Sequence, residues 1–183
     1  MLISTSFILS CFLIIISQKY FLYNNYIDKI KSRSSHSSIA TRTGGISLFS
    51  TLFLISIYFY LIGYDIYEFS LLIPLAILAA VGLYDDINGV DFKLKFIFQI
   101  IAAKIIIDNG LIIDNLHGFI GIYEISRIAA QLLTVFVIVA IINSINFIDG
   151  VDGLAISNVI LFICGFEFFA VEQSAYSNLS SIL

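Results

Sequence analysis

Residues 128–153, IAAQLLTVFVIVAIINSINFIDGVDG, decide how this chain folds. The stretch begins with about 20 almost wholly apolar residues, which is the length that an α-helix needs to cross the hydrocarbon core of a bilayer. It ends in amide and carboxylate side chains separated by glycines. Because a helix on the surface of a soluble protein is apolar on one face only, this stretch predicts a membrane-spanning helix with a polar end.

The composition of the whole chain agrees with a membrane protein. Of its 183 residues, 60% are apolar and 12% are charged, whereas soluble domains average about 45–50% apolar and about 25% charged residues. A soluble globule of this length has too little interior to hide so many apolar side chains. The composition therefore excludes a soluble enzyme and a disordered tail. The nine Lys and Arg against thirteen Asp and Glu exclude a nucleic-acid binder.

Six apolar runs predict an all-α fold, a polytopic membrane helix bundle that forms one domain over residues 1–183. The runs are 2–17, 45–63, 70–84, 95–113, 128–147 and 154–171. The fourth run is the least regular because it contains Lys104 and Asp108. These two side chains are four residues apart and can pair on one helical face.

The basic residues predict the orientation of the bundle, since positively charged loops stay in the cytoplasm. If the amino terminus is outside, the loops 18–44, 85–94 and 148–153 face inward. These loops and the adjoining helix end hold seven of the nine basic residues: Lys19, Lys29, Lys31, Arg33, Arg42, Lys93 and Lys95. We therefore predict an outer amino terminus, and the polar ends of the third and fifth runs then meet at the cytoplasmic face.

The third apolar run ends in two adjacent carboxylates, Asp85 and Asp86. Adjacent carboxylates repel one another unless a cation or a proton relieves them. A Mg²⁺ ion bound by carboxylates and substrate phosphates would do so, and Lys93 and Lys95 could hold further phosphate oxygens as point charges. Taken alone, such a pair is more commonly part of a solvated loop.

The fifth run ends in a more specific pattern. Asn143 and Asn146 are three residues apart, as are Asp149 and Asp152, so each pair would share a helical face. Amides suit a sugar or a nucleobase, and carboxylates suit a metal ion or a ribose hydroxyl. Because acidic groups at membrane depth are costly, this pattern indicates a functional site.

A basic loop, KIKSRSSHSSIATRTGGISLF over residues 29–49, leads into the second run. Backbone N–H groups at the start of a helix, here at Gly44 and Gly45 beside Arg42, form an anion site. Basic residues in this loop can equally serve only to set the topology. The residues leave both interpretations open.

Together the motifs resemble those of one family of bacterial membrane enzymes. The DD pair, the K-x-K-F-x-x-Q run and the segment N-x-x-N-F-x-D-G-x-D-G-L-A are the pattern of the polyprenyl-phosphate N-acetylhexosamine-1-phosphate transferases, relatives of the phospho-MurNAc-pentapeptide translocase. HSSIATRTGGI is similar to the family's H-x-x-P-T-P-R-x-G-G-I loop, with Ile39-Ala40-Thr41 in place of Pro-Thr-Pro. The family's later G-D-x-G-S motif and histidine-rich loop do not occur. We therefore expect this chain to correspond to the amino-terminal half of such an enzyme. We also expect the 183 residues to be inactive when they are purified alone.

The resemblance implies transfer of a sugar-1-phosphate from a UDP-N-acetylhexosamine to undecaprenyl phosphate, with release of UMP. This step initiates O-antigen, other cell-surface polysaccharide or cell-wall polymer synthesis at the cytoplasmic face of the bacterial inner membrane. Relatives that dimerise suggest a homodimer. The sequence does not identify the sugar.

The resemblance also implies roles for individual residues. Asp85 and Asp86 would be catalytic, with Asp85 deprotonating or orienting the lipid phosphate. Asp86, Asp149 and Asp152 would hold Mg²⁺, or Mn²⁺ in its place. The residues that would bind the substrates are Asn143, Asn146, Asp149, Asp152, Lys93, Lys95, Arg42, Gly44 and Gly45. Which aspartate is the base stays open, because an adjacent pair titrates as a unit.

Two rival interpretations remain. A truncated, non-catalytic paralogue would bind lipid phosphate or nucleotide without turnover. An ion or proton translocator would use the same four aspartates as a relay. A relay should thread the bilayer, however, whereas these acids cluster at one face.

Overall fold

Six α-helices and one small hairpin make up the part of the chain that the structure describes. The computed structural model of the protein describes residues 2–26, 41, 43–64, 69–148 and 153–180. The helices are α1 (Leu2–Tyr23), α2 (Gly44–Leu61), α3 (Leu72–Asn88), α4 (Phe92–Asp108), α5 (Arg127–Ile148) and α6 (Leu154–Ser180). A 3₁₀ turn (Phe69–Leu71) leads into α3, and strands β1 (Asn115–Phe119) and β2 (Ile122–Glu124) lie between α4 and α5. Each helix packs against the next one in the chain.

Among the described residues, four helical segments are long and apolar enough to cross a membrane. They are Ser4–Tyr23, Gly44–Leu61, Phe69–Asn88 and Arg127–Ile148. This confirms an all-α membrane protein. Helix α4 has 17 residues and contains four charged side chains, and the apolar part of α6, Leu154–Phe169, is also shorter than a full span. The count of six crossings and the outer amino terminus therefore stay predictions.

The helices approach one another through small side chains. Ala102 and Ala103 on α4 and Ala130 on α5 have no exposed surface. Small residues let helix backbones come close, which is how helices associate in a bilayer where apolar side chains gain nothing by leaving lipid. Large side chains such as Phe12 and Phe136 point away from the bundle, as expected for a protein whose solvent is lipid.

The predicted helix over 95–113 is wrong at both ends. Helix α4 begins at Phe92 and ends at Asp108, because Gly110 takes a φ of +90°, where the chain leaves the helix. The apolar residues 111–113 prolong the run in sequence, but the Ile113 N–H donates to Thr134 Oγ1 on α5 at 2.9 Å. The predicted pairing of Lys104 with Asp108 is confirmed.

The hairpin was not anticipated from the sequence. Strands β1 and β2 are antiparallel, with Phe119 opposite Ile122. The two residues between them, Ile120 and Gly121, both have positive φ, 54° and 75°. A two-residue hairpin loop of type I′ requires this backbone, and Asn-Gly is its usual sequence. The sequence Ile-Gly, which occurs here, is a much weaker indication of such a loop.

Candidate active site

A tight turn between α3 and α4 positions the paired carboxylates. Asp85 and Asp86 lie in the last turn of α3, at the helix end where the third run predicts them, and the connection to α4 is shorter than the predicted loop over 85–94. Gly89 ends the helix with a φ of +73°, a conformation that L side chains rarely adopt. Its N–H donates to the Asp85 C=O at 2.8 Å. Because α4 starts only three residues later, its first turn returns beside the end of α3.

Two donors from this turn hold the Asp85 carboxylate. Lys95 Nζ in the first turn of α4 lies 2.6 Å from Asp85 Oδ2, and the Val90 N–H donates to Asp85 Oδ1 at 2.8 Å. Both charged side chains are half-buried, with 35% of Lys95 and 25% of Asp85 exposed. The protein thus supplies a cation beside one member of the pair.

The other charged side chains of the motif face outward. Asp86 is exposed at the end of α3, and Lys93 is exposed at the start of α4. Lys93 makes no ion pair with any residue that the structure describes. Of the two lysines predicted to hold phosphate, Lys95 is therefore the one that lies against the Asp85 carboxylate.

An amide pair joins α4 to the polar end of α5. Asn143 Nδ2 donates to Gln99 Oε1 at 2.7 Å and to the Val139 C=O at 2.8 Å, and Gln99 Nε2 lies 3.5 Å from Asn143 Oδ1. Gln99 is buried, with 7% exposed. Gln99 lies one helical turn from Lys95 on α4. The Asn143 amide on α5 therefore lies close to the ion pair of Asp85 with Lys95.

Gln99 is a site residue that sequence reasoning missed. It is the last residue of the K-x-K-F-x-x-Q run, and its position four residues after Lys95 puts both on one face of α4. Nothing in the sequence alone indicates that this face meets Asn143. The signal that was present is a glutamine in an otherwise apolar helix, which needs a polar partner when it is buried.

The ends of α3 and α5 therefore lie at one end of the bundle. Helix α4 packs between them and runs back from Asp85 toward the hairpin. Asn146 is exposed one turn beyond Asn143. Helix α2 packs against α3, and its first residues are Gly44 and Gly45. A Cβ at either glycine would meet open space. Arg42, Asp149 and Asp152 lie outside the described residues.

Of the three aspartates predicted to hold Mg²⁺, the structure describes Asp86. Carboxylate oxygens are the preferred protein ligands of Mg²⁺, and it is usually bound by one or two of them together with phosphate oxygens. Asp86 is an exposed carboxylate at the carboxyl-terminal end of α3. Within the described ranges no three His, Cys, Asp or Glu side chains come together. The other two predicted ligands, Asp149 and Asp152, are outside those ranges.

Comparison with known proteins identifies the family. The match to the family described as glycosyl transferase family 4 covers residues 68–183, which is more than half of the chain. The chain belongs to glycosyl transferase family 4. The matched region includes both polar motifs, from the paired aspartates at the end of α3 to the segment that follows α5.

Three of the most similar relatives of this family 4 chain are bacterial phosphotransferases. The chain is 37% identical over 89 residues to the decaprenyl-phosphate N-acetylglucosaminephosphotransferase of Mycobacterium leprae, covering 47% of this chain and 22% of the relative. It is 31% identical over 151 residues to the undecaprenyl-phosphate alpha-N-acetylglucosaminyl 1-phosphate transferase of Salmonella typhi. This match covers 81% of this chain and 40% of the relative. It is 30% identical over 156 residues to the phospho-N-acetylmuramoyl-pentapeptide-transferase of Vesicomyosocius okutanii, covering 76% and 43%.

The family 4 chain matches less than half the length of each of these relatives. No solved structure matches it. The family membership confirms the resemblance inferred from the motifs, and the names of two of these three relatives include a polyprenyl phosphate.

Proposed function

We propose that this protein takes part in the transfer of a sugar-1-phosphate from a UDP-N-acetylhexosamine to undecaprenyl phosphate, with release of UMP. The observation that carries the proposal is the line of polar contacts across three helix ends. It runs from Asp85 to Lys95 at 2.6 Å and, one turn along α4, from Gln99 to Asn143 at 2.7 Å. The names of the relatives support a polyprenyl phosphate as the acceptor.

The described side chains suit the needs of phosphoryl transfer. This reaction depends on positioning and charge stabilisation more than on covalent chemistry by the protein. Asp85 orients the lipid phosphate and takes its proton. Lys95, already beside that carboxylate, can turn to the phosphate oxygens as they arrive. Asn143 and Asn146 present amides to the nucleotide or sugar, and Gln99 holds the first of them in place.

The remaining predicted ligands complete the proposal. Mg²⁺ bound by Asp86, Asp149 and Asp152 would offset the negative charge of the diphosphate and of the leaving UMP. The backbone N–H groups at Gly44 and Gly45, with Arg42, would contact a further phosphate. These roles come from the motifs and from the chemistry of the side chains.

The position of the polar end at a helix terminus fits substrates that arrive from two phases. The acceptor phosphate lies at the membrane surface, anchored by its lipid, and the nucleotide comes from the aqueous side. We place this end at the cytoplasmic face of the bacterial inner membrane. The product would feed assembly of O-antigen, another surface polysaccharide or a cell-wall polymer.

The test is UMP release from a panel of UDP-sugars by membranes that carry the full open reading frame, with undecaprenyl phosphate and Mg²⁺. We expect Asp85→Asn and Asp149→Asn to abolish release while membrane insertion stays intact. The matched control is Asp108→Asn, an exposed carboxylate at the opposite end of α4, which should keep the activity. Full activity in Asp85→Asn would remove that residue from the site.

A further inference from the structure

The tip of the β1–β2 hairpin exposes a cluster of large apolar side chains. Phe119 is 68% exposed, Ile120 81%, Ile122 44% and Tyr123 66%. A hairpin tip that faces water is normally polar, and an isolated two-stranded hairpin is marginally stable at best in water. This surface therefore needs an apolar environment.

The contacts of the hairpin set its shape. A Cβ at Gly118 would lie 3.2 Å from the ring of Tyr123, so this ring lies directly against the bare glycine backbone. The His117 N–H donates to Asn115 Oδ1 at 2.7 Å. The Ile125 N–H donates to the Asp114 C=O at 3.1 Å and closes the root of the hairpin. The apolar tip is thus presented by an ordered turn.

If α4 crosses the bilayer as predicted, the root of the hairpin lies near the membrane surface. Helix α4 has 17 residues, so it rises about 25 Å, which is short of the hydrocarbon thickness of about 30 Å. The chain then crosses to α5, where the Ile113 N–H reaches Thr134. Thr134 lies two turns inside the helix from Arg127, its first residue.

The apolar surface of the hairpin continues that of the helices. Leu111 just before it is 54% exposed, and Ile128 just after it is 73% exposed. Charged side chains stand only at the root, where Asp114, Glu124 and Arg127 are exposed. A charged root beside an aromatic and aliphatic tip is the pattern of a segment that lies in the membrane interface.

We propose that this hairpin is a lipid anchor, with Phe119, Ile120 and Tyr123 inserted at the boundary of headgroups and acyl chains. Helix α4 separates the hairpin from Asp85, so the anchor engages the leaflet opposite to the one at the polar end of the bundle. The occupant is lipid itself, because the exposed tip is continuous with the lipid-facing surface of α4 and α5. The anchor holds the start of α5 at a fixed depth and does not depend on the proposed reaction.

The test uses an environment-sensitive fluorophore on a single cysteine at Ile120. The native Cys11 and Cys164 are replaced by serine, and the chain is placed in nanodiscs of phosphatidylcholine and phosphatidylglycerol, where both faces meet the buffer. We expect a blue-shifted emission that lipids brominated near the headgroup quench and that aqueous iodide does not reach. Labels at Glu124 and at Phe136 on α5 provide the aqueous and lipid-facing references.

Two results would overturn the proposal. Iodide quenching at Ile120 equal to that at Glu124 would place the tip in water. A blue-shifted emission that neither quencher reaches would place the tip against protein. Circular dichroism of each labelled chain establishes that the helices are intact, and Phe119→Ser should move an Ile120 label toward the aqueous reference.

Discussion

The hydrogen bond between Gln99 and Asn143 allows a sharp test of how α4 and α5 meet at the polar end of the bundle. The substitution Gln99→Leu keeps the approximate size of the side chain and removes the amide that faces Asn143. Asn143 keeps its bond to the Val139 C=O. The change therefore falls on the contact between the helices.

The structure sets the size of the expected effect. The pair has one good bond at 2.7 Å and one weak contact at 3.5 Å, and Gln99 is too buried for water to replace its partner. Side-chain hydrogen bonds between membrane helices contribute about 0.6 kcal/mol on average and about 1.7 kcal/mol at most. We expect Gln99→Leu to lower the free energy of unfolding by about 1 kcal/mol, within the range of such bonds.

The assay is a double-mutant cycle with Gln99→Leu, Asn143→Leu and the double substitution. Unfolding by sodium dodecyl sulfate in mixed micelles is followed by circular dichroism. We expect the double variant to lose less stability than the sum of the single losses, with a coupling of about 0.6–1.7 kcal/mol. The control is Gln131→Leu, a half-buried glutamine elsewhere on α5. Losses that add to within about 0.3 kcal/mol would refute the contact.

Three further changes test other parts of the fold and site. Gly89→Ala forces a side chain into a backbone with φ of +73° and should lower the free energy of unfolding by about 1–3 kcal/mol. The control, Gly82→Ala inside α3, should not lower it. Unfolding in mixed micelles measures both. Thr134→Val leaves a backbone N–H of the loop before the hairpin without its acceptor and should cost about 1–3 kcal/mol. Thr51→Val removes only a bond within its own helix and should cost less in the same assay. Lys95→Met should abolish UMP release by the full open reading frame without loss of helical content, and retained release would contradict its role.

The sequence predicts the starts of α1, α2, α5 and α6 to within one residue, whereas the runs 2–17 and 154–171 stop before α1 and α6 end, because these helices continue into polar residues. The run over 128–147 differs from α5 by one residue at each end. The end of α4 could not be placed, since residues 111–113 are as apolar as the helix before them. Their structure depends on the hydrogen bond to Thr134, which is a contact between distant parts of the chain.

The candidate site likewise has features that local sequence predicts and features that depend on contacts between distant residues. Membrane topology predicts that the ends of the third and fifth runs share a face, and the packing of α3, α4 and α5 agrees with this. The pairing of Asp85 with Lys95 depends on the exact length of the turn at Gly89, and the pairing of Gln99 with Asn143 depends on how α4 is rotated against α5. Neither quantity is encoded by a local pattern.

The meeting of the two polar motifs at one membrane face is tested most directly by labelling single cysteines at Asn88 and Val151. The membranes carry the full open reading frame in a background without other cysteines, and the reagent is a maleimide that does not cross lipid. We predict that both positions react from the cytoplasmic side, in inverted vesicles, and that a cysteine at Ile120 does not. Reaction of Asn88 and Val151 from opposite sides of the membrane would contradict a shared site.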